Sequence, residues 1–179
     1  MACRTNNIAA WAGEPIVAAQ LADAARHRGI ASRYLPHAAH VVHTTLSRPL
    51  ELAGGGTLPP MIDAIALARE VEFAYPLPDG GGLVRGYIDA LIAWDDDLWV
   101  LDYKSDVLVG SVIDAAERRV RDHYAVQARL YALAAERMRG RRNLAGLLYT
   151  FVRHGVTVAV RVDELLLANW TMWLAEVRS

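Results

Sequence analysis

The chain has 179 residues, 54% hydrophobic and 22% charged, which fits one globular domain with a sizeable core and excludes a disordered segment. A net charge of -1 supplies no global field for a polyanion, so any nucleic-acid contact must come from a local patch. The lone Cys3 excludes an internal disulfide and a cysteine-based zinc site, and no apolar run approaches the ~20 residues that span a bilayer.

In chain order, residues 14 to 29 are expected to be helical, with Ile16, Ala19, Leu21 and Ala24 as an apolar stripe and Gly29 as the stop. A second helix is expected over 36 to 52, closed by Gly54-Gly55-Gly56, and a short third helix over 61 to 69 after Pro59-Pro60. Val71, Phe73 and Tyr75 then alternate as in a strand. Two apolar strand-like runs, 84 to 93 and 98 to 104, surround Asp95-Asp96-Asp97. One long helix is expected over 112 to 139, two strands over 145 to 153 and 156 to 162 with Gly155 between them, and a final helix from Asp163. This order predicts an α/β fold: a mixed central sheet flanked by helices. Three segments are expected within one domain: an N-terminal helical segment over 1–60, a core over 61–162 and a C-terminal helix over 163–179. The N-terminus lacks the apolar stretch of a signal peptide, so the expected location is cytoplasmic, with no membrane partner.

The central hairpin carries the chemistry. A loop centred between Asp95 and Asp96 with an even residue count would pair Ala93 with Leu98, Leu91 with Val100 and Asp89 with Asp102. Asp102 and Lys104 would share that face, because side chains alternate along a strand. Two opposed carboxylates are destabilising. Among Leu, Val and Ile they are costlier still. A divalent cation would resolve the conflict, since hard cations prefer carboxylate oxygens. The residues alone equally allow Asp89 and Asp102 to be strand ends facing solvent, with Lys104 paired to one of them.

Three pieces in order decide between these readings: Gly86-Tyr87-Ile88-Asp89, then Leu101-Asp102-Tyr103-Lys104-Ser105, then Tyr124 to Tyr131 with Gln127 four residues before Tyr131. Together they resemble the signature of RecB-family nucleases: a Gly-x-x-Asp strand, an Asp-x-Lys strand and a Gln-x-x-x-Tyr helix. That family has the PD-(D/E)xK restriction-endonuclease-like core, α-β-β-β-α-β, and the similarity is greatest to the C-terminal nuclease domain of exodeoxyribonuclease V beta-type (RecB/AddA-like) subunits. Arg69 to Phe73 and Leu148 to Arg153 extend the resemblance, which spans roughly residues 34 to 155. It implies that Asp89, Asp102 and the Tyr103 carbonyl hold Mg²⁺, with Mn²⁺ as an alternative. It also implies that Lys104 orients or activates the attacking water, and that Gln127 and Tyr131 complete the catalytic set. The implied activity is metal-dependent hydrolysis of DNA in recombination and repair, as an exodeoxyribonuclease. The implied partners are DNA and the helicase and other subunits of a RecBCD/AddAB-like complex.

The chain also departs from the family pattern. The family's Gly-x-x-x-His metal ligand has no counterpart, and the resemblance would put it upstream of Met1, so the front end reads as shortened. His37, His40 and His43 align after that histidine and are read as structural or solvated; His123, beside Tyr124, is a candidate for lining the site. No Gly-x-x-x-x-Gly-Lys-Ser/Thr phosphate loop is present. Arginines crowd the long helix, and Arg118, Arg121 and Arg129, with Tyr124, are candidate DNA contacts. A solvated helix face with acidic neighbours is the plainer reading of those arginines. Two rival functions stand beside the nuclease reading: an inactive nuclease fold that binds DNA or partner subunits, and a free-standing endonuclease of the same fold.

Overall fold

The computed structural model describes residues 7–176. These divide into two compact units. One holds the described residues up to Leu50 together with Pro59–Asp63, and the other holds Glu51–Leu58 and the described residues from Ala64 onward.

The first unit is helical: α1 (Ile8–Ala12), α2 (Pro15–His27) and α3 (Leu35–Ser47). Proline stands at the start of both α2 and α3, where its missing N–H would be unpaired anyway. Helix α2 ends as Gly29 suggests: Gly29 has φ 65°, its N–H bonds to the Arg26 carbonyl, and the Ile30 N–H returns to the Ala25 carbonyl. Helix α3 stops at Ser47, five residues short of the expected 52.

The second unit contains the sheet. After the two-residue strands β1 (Leu50–Glu51) and β2 (Thr57–Leu58) come β3 (Ala66–Pro76), β4 (Leu83–Trp94) and β5 (Asp97–Lys104). Helices α4 (Val112–His123) and α5 (Ala125–Met138) follow, then β6 (Asn143–Phe151), β7 (Val156–Arg161) and α6 (Glu164–Glu176). The five long strands lie in the order β3-β4-β5-β6-β7, with β5 and β6 parallel and the other neighbours antiparallel. The connection through α4 and α5 is what a parallel pair requires. The mixed α/β architecture is the one expected.

Two expected elements differ. The short helix over 61–69 is a single 3₁₀ turn at Met61–Asp63, and from Ala66 the chain is already extended. Ala66, Ala68 and Arg69 pair with Ala93, Leu91 and Ala90, so long-range strand pairing overrides the helical propensity of Ala and Leu. The single helix over 112–139 is two, broken at Tyr124, whose φ of -106° and ψ of 5° leave the helical region.

The core lies between the sheet and the helices. Leu98 and Val100 of β5, Leu147 and Tyr149 of β6, Ala116 and Val120 of α4, and Ala128, Ala132 and Ala135 of α5 belong to one buried cluster. The alternate residues of the hairpin, Ile92, Trp99 and Leu101, are equally buried on the opposite face. The β4–β5 strands therefore read as continuous apolar runs.

Candidate active site

The β4–β5 hairpin turns on Asp95 and Asp96, with Asp95 at φ 50°, a left-handed position that Asp tolerates in two-residue hairpin loops. The register pairs Leu91 with Val100 and Ala93 with Leu98, as the even loop requires, and the ladder ends at Ala90 opposite Leu101. Beyond it Asp89 leaves the regular pairing: its Oδ2 accepts the Tyr103 backbone N–H at 2.8 Å. Glu70, the β3 residue skipped between Arg69 and Val71 opposite this point, has φ 49°. Glu70 and Asp89 thus both fall outside the regular pairing, while the register on either side is unchanged.

Asp102 sits on β5 beside Tyr149 of β6 and is buried at 5% exposure. Its Oδ2 contacts the Lys104 ammonium. Its pKa is raised above 3.8, first by burial; Lys104 opposes the rise, and Asp89 adds to it through charge and hydrogen bonding. Asp89 and Asp102 therefore converge closely enough to feel each other's charge.

Lys104 is held from several sides. Its ammonium donates to Gln127 Oε1 of α5 at 3.0 Å and lies 3.8 Å from the centre of the Tyr124 ring. Tyr131, one turn beyond Gln127, donates its hydroxyl to the Tyr87 carbonyl at 2.6 Å and packs edge-on against Phe73 at 5.7 Å. The Gln127/Tyr131 face of α5 thus bridges to both motif strands. The same packing accounts for Gly86: a Cβ there would lie 2.9 Å from the Phe73 ring, which supports Tyr131.

The Lys104 carbonyl accepts the Val152 N–H on the β6 side. The Tyr103 carbonyl, one residue earlier in the strand, therefore points the opposite way, toward β4 and Asp89. Two carboxylates and a carbonyl are hard oxygen donors of the kind that suits Mg²⁺, which is commonly held by one or two carboxylates with water and substrate phosphate supplying the rest. No third His, Cys, Asp or Glu joins them among the described residues. Such a donor set suits a hard divalent cation.

The candidate DNA contacts are placed differently from one another. Arg118 and Arg121 are exposed on α4, with Arg121 also pairing Asp122 at 3.0 Å. The Arg129 guanidinium lies 4.5 Å from the Trp173 ring of α6, and Tyr124 is half-buried under Lys104. His43 is buried edge-on against Trp11, with Nδ1 3.2 Å from Ser47 Oγ, while His37, His40 and His123 are exposed.

Sequence reasoning missed Asp106, Arg119 and Tyr149. Asp106 accepts the Tyr124 hydroxyl at 2.8 Å and pairs with Arg119 at 3.2 Å. Tyr149 stacks on Tyr124 at 5.6 Å, and its buried hydroxyl has no hydrogen-bond partner among the described residues. Inside an apolar strand run, Tyr149 reads as core. One signal went unused: Lys104 is the only lysine beside 18 arginines. A guanidinium never deprotonates and needs a planar fork of acceptors, so a solitary lysine in an arginine-rich chain marks a site that requires a compact ammonium.

The comparisons agree with this geometry. The model of the PD-(D/E)XK nuclease superfamily matches residues 6–178. An ATP-dependent helicase/nuclease subunit of Listeria monocytogenes (serotype 4a, strain HCC23) is 34% identical over 95 residues, covering 46% of this chain and 8% of that protein. Its counterpart in Bacillus pumilus (strain SAFR-032) is 36% identical over 105 residues, 51% of this chain and 8% of the relative. That of Bacillus licheniformis is 36% identical over 74 residues, 40% of this chain and 6% of the relative. The chain thus spans less than a tenth of the length of the curated relatives it matches. With the family match running over nearly all of its residues and Lys104 paired to Asp102 on the hairpin, the chain belongs to the PD-(D/E)XK nuclease superfamily.

Proposed function

We propose that this chain hydrolyses phosphodiester bonds in DNA, as the nuclease module of a helicase–nuclease acting in recombination and repair in the cytoplasm. The observation that carries the reading is the convergence of Asp89, Asp102, Lys104 and Gln127 at one end of the β4–β5 hairpin. Asp89, Asp102 and the Tyr103 carbonyl would hold the Mg²⁺ or Mn²⁺. When bound, that cation supplies charge neutralisation at the phosphate and acidifies a water.

The chain's own residues do the rest. Asp102 and Gln127 fix the Lys104 ammonium from two sides, so its charge is already in place when negative charge develops on the phosphoryl oxygens. The packing of Gln127 and Tyr131 against both motif strands keeps that geometry rigid. Arg118 and Arg121, exposed on α4, are suited to phosphate contacts that ignore sequence.

The test is cleavage of linear duplex, single-stranded and circular DNA in Mg²⁺, in Mn²⁺ and in chelator. Cleavage of ends is expected, abolished by chelator. Asp102→Ala or Lys104→Ala should lower it on the order of a hundredfold or more. Cleavage of closed circles would instead favour a free-standing endonuclease. DNA binding without cleavage in either metal would overturn the enzymatic reading in favour of an inactive binding module.

A further inference from the structure

We infer that Tyr124 and Tyr149, held by Asp106 and Arg119, form an aromatic cradle that positions the Lys104 ammonium for the reaction. An ammonium has three N–H donors and no acceptor. At 11% side-chain exposure, Lys104 cannot satisfy them with bulk water. One faces Asp102 and one faces Gln127 Oε1. The remaining charge lies against the Tyr124 ring, 3.8 Å from its centre, where a ring face acts as the third partner for a desolvated cation.

That ring is not free to move. Tyr149 stacks on it, nearly parallel at 10°, and is itself 5.5 Å from the ammonium. The Tyr124 hydroxyl donates to Asp106 Oδ2 at 2.8 Å, and the other Asp106 oxygen is 3.2 Å from Arg119 Nε of α4. The segment that carries Asp106 is pinned in turn, because the Leu108 N–H donates to His154 Nε2 at 3.2 Å. The break between α4 and α5 falls at Tyr124 itself. Its backbone stays anchored across the junction, the N–H donating to the Val120 carbonyl at 3.1 Å and the carbonyl accepting the Ala128 N–H at 2.8 Å. The fold interrupts its crossover helix at the residue that touches Lys104.

This inference rests on the nuclease reading for its role, yet it can be tested without it. Lys104 is the only lysine, so protein labelled with ¹³C at the lysine ε-carbon gives one ε-methylene signal. In the metal-free chain those protons should be strongly shielded by the Tyr124 ring. Shielding should weaken alike in Tyr124→Phe and Asp106→Ala, which both remove the hydroxyl–carboxylate bond, and fall to the small contribution of Tyr149 in Tyr124→Leu, with circular dichroism confirming that each variant is folded. In cleavage assays Tyr124→Leu should lower kcat on the order of tenfold with KM for DNA within about twofold, and Tyr124→Phe should recover most of the loss. An unshielded signal in wild type, or one unmoved in folded Tyr124→Leu, would overturn the cradle. So would a raised KM with kcat intact, which would make Tyr124 a DNA contact instead. The expected shifts in a wild type that cuts no DNA would uphold the cradle and refute the nuclease reading.

Discussion

Asp102 is the residue where stability and function oppose each other. Burial raises its carboxyl pKa above 3.8 even though Lys104 pulls it down. An acid whose folded pKa exceeds its unfolded one binds its proton more tightly in the native state. Its contribution to stability is therefore full below about 3.8 and is lost as pH rises through the folded value. Above that value the ionised carboxylate is a net cost to the metal-free fold. Asp102→Asn should accordingly be more stable than wild type at neutral pH in chelator and lose that advantage in acid, as urea melts across pH would show. Tyr149 makes a related point. Its hydroxyl is buried with no hydrogen-bond partner among the described residues, and burying such a group unsatisfied costs about 1–3 kcal/mol. Tyr149→Phe keeps the ring stacked on Tyr124 and removes only the oxygen, so it should raise stability by about 1 kcal/mol in thermal or urea melts. A loss of stability would mean that the hydroxyl has a donor or acceptor role in solution.

At the scale of elements, the parallel β5–β6 pair sets where Tyr149 lies against Asp102, and that register depends on Gly146. Leu98 pairs with Leu144 but Trp99 with Gly146, so β6 carries one extra residue there. Gly146 has φ 149°, and a Cβ on it would lie 2.2 Å from the Val160 carbonyl oxygen of β7. Gly146→Ala should therefore destabilise the fold by about 3 kcal/mol or more, because backbone rather than a mobile side chain must give way. An effect under about 1 kcal/mol in urea melts would show that the bulge can slip. In Asn143-Leu144-Ala145-Gly146-Leu147 the lone glycine inside an apolar run is the only hint of a bulge, and it does not say where the extra residue falls; the pairing with β5 does. The hairpin was legible in part. An even loop centred between Asp95 and Asp96 was one reading of Asp95-Asp96-Asp97; the two-residue loop observed matches it as far as Ala90 opposite Leu101, and the expected pairing of Asp89 with Asp102 is replaced by the Asp89 bond to the Tyr103 N–H. Residues 66–69 were misread as helix because Ala-Leu-Ala-Arg has local helical preference, whereas its extended form comes from pairing with β4, whose partners lie 21 to 27 residues away. The helix break at Tyr124 was hidden likewise, since no Gly or Pro marks it. Gln127 and Tyr131 could be placed on one face because both lie within a single continuous helix, α5.

At the scale of the whole chain, the proposed site, in which Asp89 and Asp102 are close enough to feel each other's charge, would make a divalent cation a stabilising partner. Anything that binds the native state and not the unfolded chain adds RT ln(1 + [L]/Kd), about 2.7 kcal/mol at a hundredfold excess over Kd. Asp89 and Asp102 are brought together only by the folded hairpin, so the unfolded chain offers no comparable site. Millimolar Mg²⁺ or Mn²⁺ should thus raise the melting temperature of wild type, with a shift that grows logarithmically with concentration. Ca²⁺ should do the same if hard oxygen donors alone are responsible, whereas equal ionic strength of NaCl should have little effect. The decisive comparison is with Asp102→Asn. In chelator it should melt above wild type, because the cost of the buried carboxylate is gone. In saturating metal the order should reverse, because only wild type gains binding energy. A crossing of the two melting curves with metal concentration would report both the desolvated carboxylate and the cation it serves. Parallel curves, with Asp102→Asn shifted equally at every concentration, would place metal binding elsewhere and remove Asp102 from the proposed ligand set.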